Sequence, residues 1–111
     1  MVRAMWNGAI VAESHETTVV DGSHYFPRGS VVAERVAASE RTSVCPWKGV
    51  ASYLDVTVDG AANREAAWYY PEPKPAASEI TGHVAFWKGV DVIDDDEAPR
   101  AARRRIFGMR R

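Results

Sequence analysis

The chain has 111 residues, 46% of them hydrophobic and 26% charged, with a formal net charge of −1. This length suits one domain and not two, and so even a charge balance gives no overall attraction to nucleic acid or to an acidic membrane. A single cysteine excludes an internal disulfide and a Cys-x-x-Cys zinc site, so the fold has to stand on its apolar core.

The N-terminal stretch Met1 to Trp6 has no long apolar run of the kind a signal peptide or membrane span needs, which makes a soluble, cytoplasmic protein the expectation. Asn7-Gly8 then stands between Ala4-Met5-Trp6 and Ala9-Ile10-Val11-Ala12. An Asn-Gly or Asp-Gly pair is a strong hairpin signal, because both central residues of a type I′ turn need positive φ. Asp21-Gly22, between Thr17-Thr18-Val19-Val20 and His24-Tyr25-Phe26, repeats the signal, and Asp59-Gly60 makes the third. Ser30 to Ala38 interrupts the β pattern: a Ser cap, Glu34 four residues on, and Val32 and Val36 on one face predict a short helix.

From Tyr53 to Val58 the residues alternate, with Tyr53, Asp55 and Thr57 on one face and Leu54, Val56 and Val58 on the other, as in a half-buried strand. Ala66 to Tyr70 reads as its return strand. Pro71-Glu72-Pro73-Lys74-Pro75 is a stiff extended loop leading into a helical turn at Ala76 to Ile80. His83 to Trp87 and Val90 to Ile93 are further strands about a Lys88-Gly89 turn. About seven short strands joined by tight turns predict a mainly β fold, a small two-sheet antiparallel sandwich or open barrel with one short helix. Residues 1–93 form the expected domain, with eleven acidic and eight basic side chains. Residues 94–111 form an acidic-then-basic tail, four acids followed by six arginines, which is expected to be disordered. Nucleic acid is expected to contact the protein only through those arginines, and no feature demands an oligomer.

Candidate chemistry concentrates in Cys45-Pro46-Trp47-Lys48-Gly49-Val50-Ala51-Ser52-Tyr53, part of which returns as Trp87-Lys88-Gly89-Val90. Cys45 is either a thiol activated by Lys48 or His24, or a buried structural side chain. Lys48 is either a solvated turn residue or an ammonium that recruits a phosphate or carboxylate. His24 is the ready general base near this segment, and Tyr53 with Asp55 offers an acid–base pair or a plain hydrogen bond. Trp47, Trp68 and Trp87 each stand beside a turn or a proline, and alternation turns Tyr69 away from Trp68 and Tyr70. The catalytic candidates are therefore Cys45, Lys48, Tyr53 and His24, and the ligand-binding candidates Trp47, Trp68, Tyr70 and Trp87. His15, His24 and His83 lack metal-ligand spacing, so neither a metal nor a cofactor is expected.

Trp6-Asn7-Gly8, Tyr25-Phe26-Pro27, Cys45-Pro46-Trp47-Lys48-Gly49, Ala51-Ser52-Tyr53, Trp68-Tyr69-Tyr70-Pro71 and Val84-Ala85-Phe86-Trp87, in that order, resemble the small bacterial and fungal family called domain of unknown function 427. The resemblance covers roughly residues 1 to 95. It implies a compact all-β fold akin to the two-sheet β-tent folds, whose better-known members bind zinc or cage small ligands with aromatics. The cysteine pairs of the zinc-bearing members are absent here. Family members are sometimes labelled nucleotidyltransferases, yet the chain has neither a glycine-rich phosphate loop nor paired strand aspartates for two magnesium ions. Three functions follow as expectations: an aromatic-lined small-molecule pocket, a non-catalytic protein- or RNA-interaction module, and nucleotidyl transfer.

Overall fold

A computed structural model describes residues 1–95, so the tail from Asp96 onward, expected to be disordered, lies outside the described residues. The three Asx-Gly pairs form the predicted turns: Asn7, Asp21 and Asp59 have φ of 51°, 52° and 50°, and Gly8, Gly22 and Gly60 have φ of 78°, 79° and 80°. They join β1 (Val2–Trp6) to β2 (Ala9–Ser14), β3 (Thr18–Val20) to β4 (Ser23–Tyr25), and β6 (Gly49–Val58) to β7 (Ala61–Tyr69). The other strands are β5 (Val36–Cys45), β8 (Val84–Phe86) and β9 (Asp91–Asp94).

The strands make three antiparallel sheets, in the orders β2-β1-β9, β3-β4 and β5-β6-β7-β8, and none closes into a barrel. Lys88 and Gly89 have the positive φ of a turn, but the strands on either side join different sheets, β8 pairing with β7 and β9 with β1. β9 also passes the expected domain boundary. Asp94 pairs with Val2, the Asp95 amide donates to the Met1 carbonyl, and Arg3 forms ion pairs with both Glu13 and Asp95.

The helix predicted over Ser30 to Ala38 does not form. Val31, Val32 and Val36 are β-branched and lose side-chain freedom in a helix. Here Val31 bridges Ala12, and the Val32 amide donates to the Val11 carbonyl at 2.7 Å. Only a 3₁₀ turn over Ala33–Arg35 remains, and the chain then extends at once into β5.

Strand alternation gives the four-stranded sheet two different faces. On one face Leu54, Val56, Val58, Val84 and Phe86 pack with Val2, Ala4, Val11 and Ala12 of the first sheet and with Phe26, making the aliphatic core. On the other, Ala51, Tyr53, Tyr70 and Ala85 pack with Tyr25 of the β3–β4 hairpin and with Ala77 and Ile80. Those last two residues come from the 3₁₀ segment Pro75–Ile80, where a helical turn was predicted.

The proline segment lies against the β5–β6 turn. The Lys74 amide donates to the Lys48 carbonyl at 2.9 Å, and Lys74 Nζ donates to the Pro46 carbonyl at 2.6 Å. Gly49 stands at this approach with a φ of +113°, and a Cβ there would meet the backbone of residues 72–74 at 3.5–3.6 Å. Those distances are ordinary contact, so the positive φ is what demands glycine. Gly49→Ala should therefore cost about 1–3 kcal/mol in urea unfolding. Gly29→Ala, with no positive φ and open space around it, should cost nothing; equal effects of the two changes would remove the backbone argument.

Candidate functional site

The β5–β6 turn sends the Lys48 side chain inward, where it is only 9% exposed. Its ammonium lies 2.5 Å from Oδ2 of Asp21, 4.8 Å from the centre of the Trp47 ring and 6.0 Å from that of Tyr70. Asp21 reaches it from the β3–β4 turn with a side chain 58% exposed. Burial works against the charge on Lys48. The hydrogen bond to Asp21 and the attraction of Tyr25, Tyr70 and Cys45 outweigh it, so the pKa lies above the ordinary 10.5. The hydrogen bond from Lys48, with a smaller contribution from Trp47, holds the Asp21 carboxyl below its usual range.

Around this pair lies a cleft of about 180 Å³, lined by Asp21, Ser23, Tyr25, Lys48, Tyr53, Trp68, Tyr70 and Trp87. Its aromatic wall is continuous: Tyr25 meets Trp68 edge-on at 6.2 Å, Trp68 meets Trp87 at 5.8 Å, and Trp87 meets Tyr53 at 6.4 Å. Such contacts fix ring positions beyond simple burial. The Trp68 indole donates to Tyr25 Oη at 3.2 Å, and Tyr53 Oη shares a 2.9 Å hydrogen bond with Ser43. Tyr70 is different. It is 5% exposed, and among the described residues its hydroxyl has no hydrogen-bond partner.

Burial pushes the Tyr70 phenol up to about 12, and burial also raises Tyr25. At neutral pH Lys48 is thus an ammonium, and Tyr25 and Tyr70 are neutral phenols. Those groups donate hydrogen bonds well, but they include neither a free amine for covalent attack nor a phenolate base.

A second network orients the rim. Glu65 adopts a φ of 59° at a bulge in β7, and its amide donates to Asp55 Oδ1 at 2.8 Å. The Glu65 carbonyl accepts the Trp87 indole N–H at 2.6 Å, and its carboxylate pairs with Arg41 at 3.2 Å and Lys88 at 3.7 Å. Arg41 in turn covers the Tyr53 ring at 4.8 Å. Asp55 therefore holds a bulge and makes no hydrogen bond with Tyr53, while Lys88 of the echoing motif stands at the rim.

Of the residues singled out in the sequence, Lys48, Tyr53, Trp68, Tyr70 and Trp87 come together on the cleft. Trp47 stands outside the lining, 42% exposed, with its ring against the ammonium. Cys45 packs half-buried against the aromatic cluster without lining the cleft. Burial pushes its thiol up, but the amides of Lys48 and Trp47 and the charge of Lys48 bring it below the ordinary value. His24 is not brought to the cleft. Strand alternation places Tyr25 there, whereas the His24 ring bonds Thr17 at 2.8 Å and borders a separate hollow with Phe86, Val92 and Asp94; Ser23 borders both.

Asp21, Ser23 and Tyr25 are cleft residues that the sequence reading missed. The parity of β4 was the available signal for Tyr25, because His24 and Tyr25 cannot share a face. Among the described residues no three His, Cys, Asp or Glu side chains gather closely enough to hold a metal ion. No helix there is long and apolar enough to cross a membrane.

The chain belongs to the family described as Domain of unknown function (DUF427), which matches residues 1–96 and is the family its ordered motifs resemble. No curated protein matches it.

The protonation of Tyr70 has a measurable consequence. Its folded-state pKa is raised above the ordinary 10.0, so above pH 10 the unfolded chain loses a proton that the folded chain keeps. That contribution to stability is complete below pH 10 and is lost as pH rises toward about 12. Urea unfolding should show stability falling across this window, and Tyr70→Phe should flatten the fall; identical slopes would contradict the buried phenol.

Proposed function

We propose that this chain is a small-molecule binding domain and that the aromatic cleft is its site. The observation that carries the reading is Tyr70 on the cleft wall, a side chain 5% exposed whose hydroxyl has no hydrogen-bond partner among the described residues. A phenol hydroxyl on the cleft wall without a protein acceptor has its proton available for a ligand acceptor. The cleft volume of about 180 Å³ is close to the ~150 Å³ of a cavity that encloses benzene, so the cleft has room for a group of single-ring size. Trp68 and Trp87 supply the faces and edges against which such a ring packs.

If a reaction takes place in the cleft, Lys48 serves it as a fixed positive charge for developing negative charge. Covalent attack by Lys48 would need the neutral amine, which the Asp21 pair disfavours. Nucleotidyl transfer calls for carboxylates grouped around metal ions, a grouping that the described residues do not offer.

A protein-interaction module is the second reading, and one observation favours it. Val44 and Val50 pair across the β5–β6 hairpin and are 75% and 51% exposed, with Trp47 at the adjoining turn. Three apolar side chains there make a small patch, whereas the cleft combines shape, apolar walls and an unsatisfied donor.

A screen of single-ring compounds, followed through the indole N–H signals of Trp68 and Trp87, tests the reading. A subset should shift both signals. Trp68→Ala should abolish binding, and Tyr70→Phe should weaken it several-fold, by about 1 kcal/mol, without lowering the melting temperature. A loss of stability in Tyr70→Phe would make the hydroxyl structural, and no shifts at millimolar concentration would end the small-molecule reading.

A further inference from the structure

We infer that the ligand carries a carboxylate or phosphate group and that this acid group replaces Asp21 at Lys48. The inference rests on the reading of the cleft as a binding site and adds the chemistry of what binds. The Lys48 ammonium has three donors and is buried, so removing the carboxylate it is paired with among the described residues, without a substitute, would be costly. Asp21, by contrast, is more than half exposed and comes from the neighbouring hairpin turn, so water can receive its carboxylate when it leaves. An incoming acid would keep the ammonium paired.

The other polar groups of the cleft favour the same ligand. The Tyr70 hydroxyl has no partner among the described residues and is protonated. Tyr25 Oη accepts the Trp68 indole proton, which leaves its own proton to donate. The Ser23 hydroxyl has no partner among the described residues and also lines the cleft. An anion accepts from such groups, whereas a cation would meet donors and the positive charge of Lys48. A neutral ring compound would leave Asp21 in place and gain only the apolar wall. Asp21 is thus an internal competitor that a ligand acid must outbid, and it sets the selectivity of the cleft for acids.

Asp21→Asn isolates this role, because asparagine is at home at the positive φ of a type I′ turn and the hairpin should keep its shape. Three probes, benzoate, phenyl phosphate and benzyl alcohol, are titrated into the full-length wild type, Asp21→Asn and Lys48→Met, with the Trp68 and Trp87 indole signals as readout. Benzoate or phenyl phosphate should bind more tightly than benzyl alcohol, and the tighter of the two distinguishes carboxylate from phosphate. Asp21→Asn should tighten that acid by about tenfold, the worth of a charged hydrogen bond, and leave benzyl alcohol unchanged. Lys48→Met should reduce the acid to the level of benzyl alcohol; if that variant fails to fold, the Asp21→Asn comparison decides alone. Benzyl alcohol binding as tightly as both acids, or an acid affinity that Asp21→Asn leaves unchanged or weakens, would overturn the inference while the cleft remained a binding site. Absence of binding by all three probes to wild type and Asp21→Asn at millimolar concentration would overturn both.

Discussion

An ammonium enclosed by aromatic rings is the constraint around which this site is organised. Burying an isolated lysine charge costs several kcal/mol, so Lys48 needs a carboxylate at contact distance, and Asp21 supplies it from 27 residues away in the chain. Two hairpin turns must therefore meet. The β3–β4 turn presents Asp21 because Asp21-Gly22 adopts two successive positive φ angles. The β5–β6 turn presents Lys48 because Gly49 takes a positive φ there, and the Lys74 amide of the proline segment holds the Lys48 carbonyl. The prolines stiffen that strap, and Tyr70, just before it, enters the cleft wall.

Strand alternation divides the labour of the four-stranded sheet. One face is aliphatic, covered by the β2-β1-β9 sheet, and contributes stability through burial. The opposite face carries the phenols and indoles, and there polar atoms enter the interior with the rings. A consecutive pair such as Trp68 and Tyr69 illustrates the division, since Trp68 packs with the aromatic cluster and Tyr69 with the aliphatic core. The long outer strand β5 is interrupted between Ala38 and Thr42, where Glu40 and Arg41 sit. A bulge and charges at that place protect an exposed edge from pairing with another chain.

Features fixed by local chemistry were legible in the sequence. Asn7-Gly8, Asp21-Gly22 and Asp59-Gly60 announced their turns because positive φ restricts residue choice within two positions. Tyr53 to Val58 announced its two faces through alternation, and Trp68 and Tyr70 their common side in the same way. Ser30 to Ala38 was misread because a cap and a four-residue spacing resemble a helix start, while the decisive partners, Val11 and Ala12, lie far back in the chain. The pairing of Asp21 with Lys48 was hidden for the same reason: a turn aspartate and a turn lysine show no sign of each other until the sheets are assembled. Period-2 alternation permits only one of His24 and Tyr25 to face the cleft, and it is Tyr25 that lines it. The family motifs supply most of the residues around the cleft, and Cys45, the most conspicuous residue of the key segment, stands beside the cleft and not on its wall.

The central claim is that the pair with Asp21 keeps Lys48 charged despite its burial. A direct test follows the side-chain carbons of Lys48 and Asp21 by NMR across the full range of pH at which the protein stays folded. The account predicts that Lys48 retains its proton beyond the ordinary 10.5 and that Asp21 ionises below 3.8. Loss of the Lys48 proton below 10.5 would mean that desolvation prevails over the ion pair and would contradict the account.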